Sequence, residues 1–371
     1  MVGRQLWKLK IAIRDNGTLR SLANEENVLY DMLVQHENVD IYLKDGAWTR
    51  DIHLPLDNIV EGRKVIVHRN STWESTVHLD GSRTQDVDKG ETIFIYRNGR
   101  WNAPFNNANA FKLKVYGSSF TISTAPSSYS YDYHVDCNDD GIIEHFSVND
   151  DYTCTYEIAD IYVIAIYGDF PHLGEGRTTH TLDKAKIQTV QQWGSIQWQS
   201  MNRSFMFSNI TTIEANDVPD LSNVTDIGWM FYGASRFNAD LSSWDVSNVT
   251  NMLNTFTRVK NFNSDLSNWD VSNVVTMERM FLGATKFNSD ISNWDVSSVA
   301  NMNLAFRGAT SFNADISNWD VSSVVSMSST LRDAISFSNH NLSSWNVSSN
   351  PSHVRFSENW GSSNIEPNWP N

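Results

Sequence analysis

Tryptophans at positions 244, 269, 294, 319 and 345 mark a near-perfect 25-residue period through the C-terminal half of this chain. Around them the sequence nearly repeats itself: FNADLSSWDVSNVTNM, FNSDLSNWDVSNVVTM, FNSDISNWDVSSVANM and FNADISNWDVSSVVSM. A fixed period of this length is the mark of a stacked array, in which each unit buries its apolar side only against its neighbours. It points to binding or structural work and away from catalysis. The period opens in degraded form near Thr189, where Asp220-Leu221-Ser222-Asn223-Val224 aligns with the later Asp-Val-Ser-Asn-Val. It decays again in FSNHNLSSWNVSS and dissolves into SENWGSSNIEPNWPN, a polar terminal cap.

Within one copy the apolar positions are Phe287, Ile291, Trp294, Val296, Val299, Met302 and Phe306. Alternation predicts Trp294 and Val296 on the inner face of a short strand and Asp295 on the outer. The stretch NLAFRGA reads as one helical or 3-10 turn on the opposite wall, with its glycine opening the corner back. Stacking such units gives a parallel strand ladder on a concave side. The tryptophan column is then core, because it shares the inward face with valine.

The repeat also makes polar columns. Asp245, Asp270, Asp295 and Asp320, ending in Asn346, form one; Asp240, Asp265, Asp290 and Asp315, accompanied by Asn238, Asn263, Asn288 and Asn313, form another. Carboxylates stacked about 4.8 Å apart repel by about 1 kcal/mol per neighbour even in water. Capping by the Asp-x-Ser pattern offsets this, or else a bound cation or basic partner does. Both readings of the first column stay open.

The motif FNxD[IL]S-x-WDVS-x-V-x-x-M resembles the repeats of BspA-like leucine-rich repeat surface proteins, of the short type seen in mycoplasma lipoproteins. That resemblance implies a leucine-rich-repeat solenoid over 186–371 and an extracellular interaction protein. Its partner would be a protein, peptide or glycan held on the outward residues of the strands: Asp245, Asn268, Asp270, Asn293, Asp295, Asn318 and Asp320. Two other roles fit the same repeats: a structural spacer or assembly module, favoured by the uniformity of the copies, and an accessory module of a larger secreted hydrolase.

The N-terminal half is β-rich. Residues 1–110 read as a small antiparallel module, opened by a short helix in LRSLANEENVLYDMLVQH, with hairpin turns at Lys44-Asp45-Gly46 and Arg97-Asn98-Gly99, each followed by a tryptophan (Trp48, Trp101). The stretch Ile41–Trp101 resembles small β modules of bacterial adhesins and phage tail proteins. Residues 111–185 carry short strands divided by Ser, Pro, Asn and Asp, which predicts an immunoglobulin-like sandwich. TCTYEIADIYVIAIYG within them resembles the closing strands of polycystic-kidney-disease-type domains of bacterial surface proteins.

Two cysteines, Cys137 and Cys154, are the whole complement. With His134 and His145 nearby the spacing matches no zinc pattern, so the pair reads as a disulfide suited to an exported protein. Asp136, Asn138, Asp140, Gly141 and Glu144 follow the start of a D-x-[DN]-x-[DN]-G calcium loop, but Ser147 stands where the bidentate glutamate belongs. Weak calcium binding and a plain acidic hairpin turn are both consistent with it.

Formal charge of −15, from 43 acidic and 28 basic residues, with no basic cluster interleaved with aromatics, argues against nucleic-acid binding. No apolar run is long enough to span a membrane. The start lacks a secretory signal, so Met1 is read as placed on a fragment of a longer exported protein. No phosphate loop, HExxH or Gly-x-Ser-x-Gly motif occurs.

Overall fold

The computed structural model describes residues 107–371 other than 142, 175–180 and 371, and before residue 107 the eight strands plus Leu54 and Ile59. The chain divides into two compact units, Met1–Asn107 and Ala108–Asn371.

In the first unit, β1 (Leu9–Ala12), β2 (Asn38–Leu43), β4 (Lys64–Arg69), β7 (Gly90–Arg97) and β8 (Arg100–Asn102) form one sheet in the order β1-β2-β4-β7-β8. β3 (Asp51–His53), β5 (Thr76–Asp80) and β6 (Arg83–Asp86) form a second. Strand periodicity sets the inner face: Val65 and Val67 of β4 and Phe94 and Tyr96 of β7 are buried, with Val65 opposite Phe94. The expected antiparallel module is therefore mixed. β1–β2, β2–β4 and β3–β5 are parallel pairs, and β4–β7, β7–β8 and β5–β6 are antiparallel. The Arg97↔Arg100 register brackets Asn98-Gly99 as a two-residue hairpin requires. β2 and β3 enter different sheets. The predicted N-terminal helix and Lys44–Gly46 lie outside the described residues.

The second unit opens on a six-stranded sheet in the order β11-β10-β12-β9-β13-β14. Its strands are β9 (Phe111–Ile122), β10 (Asp132–Asp136), β11 (His145–Val148), β12 (Tyr152–Asp169), β13 (Ile187–Gln192) and β14 (Thr212–Ile213). The short strands expected for an immunoglobulin-like sandwich merge into two long ones, β9 and β12, paired antiparallel from Tyr152↔Ile122 to Ile166↔Phe111 around an irregularity between Thr155 and Asp160. Among the described residues of this unit no second sheet faces them. The face carrying Phe111, Leu113, Ile164 and Ile166 is covered instead by aromatic side chains of the repeat segment: Phe111 lies 5.7 Å from Trp193 and 4.9 Å from Trp198 between ring centroids, and Trp193 lies 5.4 Å from Trp244. Sheet and repeats thus share one core running from Phe111 to Phe356. β13 pairs antiparallel with β9 and parallel with β14, which turns the sheet's geometry into the parallel stacking of the rungs.

The rungs are built almost entirely from turns. In the rung from Phe287, Asp290 Oδ1 accepts the Ser292 N–H at 3.0 Å and Trp294 N–H bonds to Ile291 O. Asp295 and Ser297 repeat the same arrangement at 3.0 Å, followed by Val299 N–H to Val296 O. The strand expected at Trp294–Val296 is not formed. Parallel pairing consists of isolated bridges further along, in the column Asp226, Asn251, Thr276, Asn301, Ser326 and Ser352. The strand ladder of a leucine-rich repeat is absent from the described rungs because Asp-x-Ser capping bends the chain on both sides of each tryptophan. The predicted helical turn after Met302 is also replaced. Leu304 and Gly308 adopt left-handed φ values of 58° and 67°, so the N–H groups of Met302, Leu304, Phe306 and Gly308 point to Ser326, Ser328, Thr330 and Arg332 carbonyls of the next rung. That segment is a rung-to-rung backbone ladder made of consecutive turns.

Columns of identical residues fill the interior. Phe231, Phe256, Phe281 and Phe306 stack at centroid distances of 5.7, 5.6 and 5.5 Å, and Phe237, Phe262, Phe287, Phe312 and Phe337 form a second column. The tryptophans are core, as the inward alternation predicted: Trp269, Trp294, Trp319 and Trp345 are each 4% exposed. Their indole N–H groups donate to the carbonyls of Leu241, Leu266, Ile291 and Ile316 in the preceding rung, at 2.9 to 3.1 Å. A buried indole so bonded leaves no polar atom unsatisfied.

Candidate functional site

The outward residues of the rungs fall into two kinds. Asp245, Asp270, Asp295 and Asp320 are exposed, and each Oδ1 accepts the N–H of the serine two residues on at 3.0 Å. Asn346 does the same with Ser348. The carboxyls of Asp245, Asp295 and Asp320 are held below the usual range by hydrogen bonds from the serine side chain and N–H. At Asp295 the repulsion from Asp320 is the smallest contribution and does not reverse that direction. The capping expected of the Asp-x-Ser pattern is therefore formed at each of these aspartates. Asp240, Asp265, Asp290 and Asp315 cap their turns identically, through Ser242, Ser267, Ser292 and Ser317. Beside them Asn238, Asn263, Asn288 and Asn313 form an amide ladder, each Oδ1 accepting a backbone N–H of the next rung at 2.7 to 2.9 Å.

The second kind is the column Asn268, Asn293 and Asn318. These side chains are exposed and make no hydrogen bond among the described residues. Each lies two residues before a capped aspartate, so amide and carboxylate run side by side along the array.

The acidic loop sits between β10 and β11. Asp136 is fully buried; its Oδ1 accepts N–H groups of Asn138 and Asp140 at 3.2 Å and its Oδ2 accepts Gly141 N–H at 2.8 Å. Glu144 accepts the Cys137 N–H at 2.7 Å. Ligand oxygens of Asp136, Asp140 and Glu144 come within 4.8 Å of one another. Asn138, the fourth residue of the sequence motif, turns its amide nitrogen to Asp140 Oδ2 at 3.3 Å. Burial raises the Asp136 carboxyl above its usual range, against three backbone hydrogen bonds that lower it. Desolvation and then the Asp136 charge raise Glu144. Asp139 and Gly141 turn the loop with φ of 55° and 83°. The Cys137–Cys154 disulfide ties its base to β12, Lys112 pairs with Asp139 at 2.8 Å, and Tyr156 donates to Cys137 O.

Two families match parts of this chain. One, described as "Mycoplasma protein of unknown function, DUF285", matches residues 199–307 and 287–358, which span the rungs. The mycoplasma side of the sequence resemblance is thereby supported. The other is the β-sandwich domain of the metalloprotease StcE, matching residues 36–104 of the first unit. Among solved structures, a fragment of StcE from enterohemorrhagic E. coli is 25% identical, covering 28% of this chain and 95% of that one at a TM-score of 0.24. No curated protein matches the chain. Among the described residues no helix is long and apolar enough to cross a membrane.

Proposed function

We propose that this chain is a non-catalytic extracellular recognition module, acting in the manner of BspA-like surface repeats, and that one side of its array binds an extended protein, peptide or glycan. The observation that carries this reading is the column of Asn268, Asn293 and Asn318: exposed amides, without internal partners, in register with carboxylates whose charge capping preserves. Side chains that only maintained the stack would be hydrogen-bonded between rungs, as Asn263, Asn288 and Asn313 are. The test is the Asn268→Ala/Asn293→Ala/Asn318→Ala triple variant of the full chain, probed on glycan and peptide arrays. Binding should weaken by at least about tenfold while the melting temperature stays put, because surface groups without partners contribute little stability. Retained capture by the triple variant removes this reading and leaves the spacer role.

The match of residues 36–104 to a metalloprotease's β-sandwich supports a second reading, that of an accessory module of a larger secreted hydrolase with catalysis elsewhere. In either case the convergence of Asp136, Asp140 and Glu144 supports a weak calcium site that steadies the β10–β11 loop.

A further inference from the structure

Where the sheet meets the first rung, a cleft of about 480 Å³ opens between the loop after β9, the loop after β12 and the first two turns of the array. We infer that this cleft is a saccharide-binding site, in which the Tyr129 ring carries a sugar face while His172 Nε2 and Asp226 accept hydrogens from its hydroxyls. It is separate from the asparagine column and does not depend on the reading of that column.

His172 is 5% exposed and lines the cleft. Its Nδ1 lies 3.0 Å from Ser200 O. A carbonyl only accepts, so Nδ1 carries the hydrogen. In the neutral ring Nε2 is then a bare acceptor, and it makes no hydrogen bond among the described residues. Burial holds the imidazole neutral by lowering its pKa to about 4. The ring is buried but Nε2 is its accessible edge, open to the cleft, where a ligand hydroxyl can replace water as its donor.

Asp226 supplies a second, independent mark. The residues of its column in the later rungs are Asn251, Thr276, Asn301, Ser326 and Ser352, all uncharged. Capping needs no charge there: Asn251 and Asn301 take the N–H two residues on at 3.0 Å, as Asp226 takes that of Gly228. A carboxylate stands only in the rung that faces the cleft. Its Oδ1 accepts from Gly228 and Asn251 and its Oδ2 from Asn202, which leaves a lone pair of Oδ2 for a further donor.

The walls are fixed before any ligand arrives. The Tyr131 hydroxyl accepts the Ala125 N–H and donates to His172 O, both at 3.0 Å. Thr124 is held by Asp151 through its N–H and its hydroxyl. Gly174 packs so closely on Thr124 that a Cβ there would meet its carbonyl at 2.5 Å. Tyr129 lies 5.1 Å from His172 between ring centroids, half-buried, and lines the cleft.

The lining selects the ligand class. It holds no lysine or arginine, which disfavours phosphates and carboxylates. A cationic ligand would use Asp226 alone, whereas a sugar uses the imidazole acceptor, the carboxylate, the Ser127 and Ser128 hydroxyls and the aromatic face together. The volume lies within the range of small-molecule sites, about 300–1,000 Å³.

The test is titration of the full chain with a panel of free mono- and disaccharides and their methyl glycosides, followed by ligand-observed NMR, with arginine methyl ester as a cationic control. Saturable sugar binding is expected, weakened at least about tenfold by His172→Phe, by Asp226→Asn and by Tyr129→Ala. Tyr129→Ala and Asp226→Asn change half-buried side chains and keep the test valid if His172→Phe fails to fold. Binding of methyl glycosides identifies a chain end as the natural ligand, and binding of reducing sugars alone identifies a free saccharide. Absence of sugar binding, sugar binding that all three variants leave intact, or capture of the arginine ester instead overturns the inference.

Discussion

In the six-stranded sheet backbone groups bond to backbone groups over long registers, such as Tyr152↔Ile122 through Ile166↔Phe111. In the rungs side chains share that work. Aspartates cap turns, asparagines link successive rungs, and tryptophan indoles close on carbonyls of the rung before. The carboxylates differ in the same way. Asp295 and Asp320 of the rungs are exposed and held below their usual range by serine donors, whereas Asp136 beside the sheet is buried and raised. A repeat can tolerate a charge per rung only when each charge is satisfied locally. A single loop can gather three because it need not repeat them.

The most severe test of this contrast is Trp294→Ala. It removes a buried indole and the donor to Leu266 O from mid-array, and about 3–5 kcal/mol of stability should go in urea titration. A loss below about 1 kcal/mol would falsify the view of tryptophan as the spine. On the sheet side, Cys137→Ser with Cys154→Ser opens a loop closed over 17 residues. That should lower stability by about 3 kcal/mol, in the same measure.

Acid separates the junction from the rungs. The folded pKa of His172 is about 4, below the ordinary 6.5, so the unfolded chain takes up the proton first. The His172 contribution is whole above pH 6.5 and falls by about 3 kcal/mol as pH drops towards 4. That of buried Lys184, its pKa lowered to about 7, is lost at higher pH, as pH falls from about 10.5 to 7. Asp245, Asp295 and Asp320 are shifted down, so their contribution persists until pH falls below about 4. Asp136, shifted up, acts in the opposite sense, its protonation favouring the folded state. Melting temperature followed across pH 7 to 3 should show two descending phases, and His172→Phe should abolish the upper one alone.

Calcium should raise the melting temperature by the equivalent of about 1.4 kcal/mol at ten times its dissociation constant, and Asp140→Asn should remove the increment. A calcium-independent melt returns the loop to a plain acidic turn. The smallest effects belong to the two left-handed positions of one rung, Gly308 and Leu304, with Gly308→Ala the larger of them. No crowding opposes the added methyl, whose nearest neighbour is 3.8 Å away, but φ of 67° does, at about 1 kcal/mol. Leu304→Gly, at the other left-handed position of that rung, should be near neutral, because relief of strain offsets the flexibility gained by the unfolded chain.

The period, the buried tryptophans and the disulfide were legible in the amino-acid sequence, because each rests on local spacing and on residue types with few alternatives. The convergence of Asp136, Asp140 and Glu144 was foreseeable for the same reason, while the turned amide of Asn138 was not. Alternation at Trp294 and Val296 suggested a strand, since a turn and a strand place inward side chains alike when an aspartate caps both sides. The sandwich expected over 111–185 failed because strand-like sequence does not say what will cover a sheet's apolar face; here Trp193 and Trp198 of the repeat segment do. The cleft had no sequence signal at all. Tyr129, His172, Ser200 and Asp226 are scattered over nearly a hundred residues, and only the docking of the first rung on the sheet brings them together. Sequence by itself determined what repeats and what is buried, for these follow from nearest-neighbour chemistry. Tertiary structure decided which face is covered and where an acceptor is left without a donor, for these depend on partners distant along the chain.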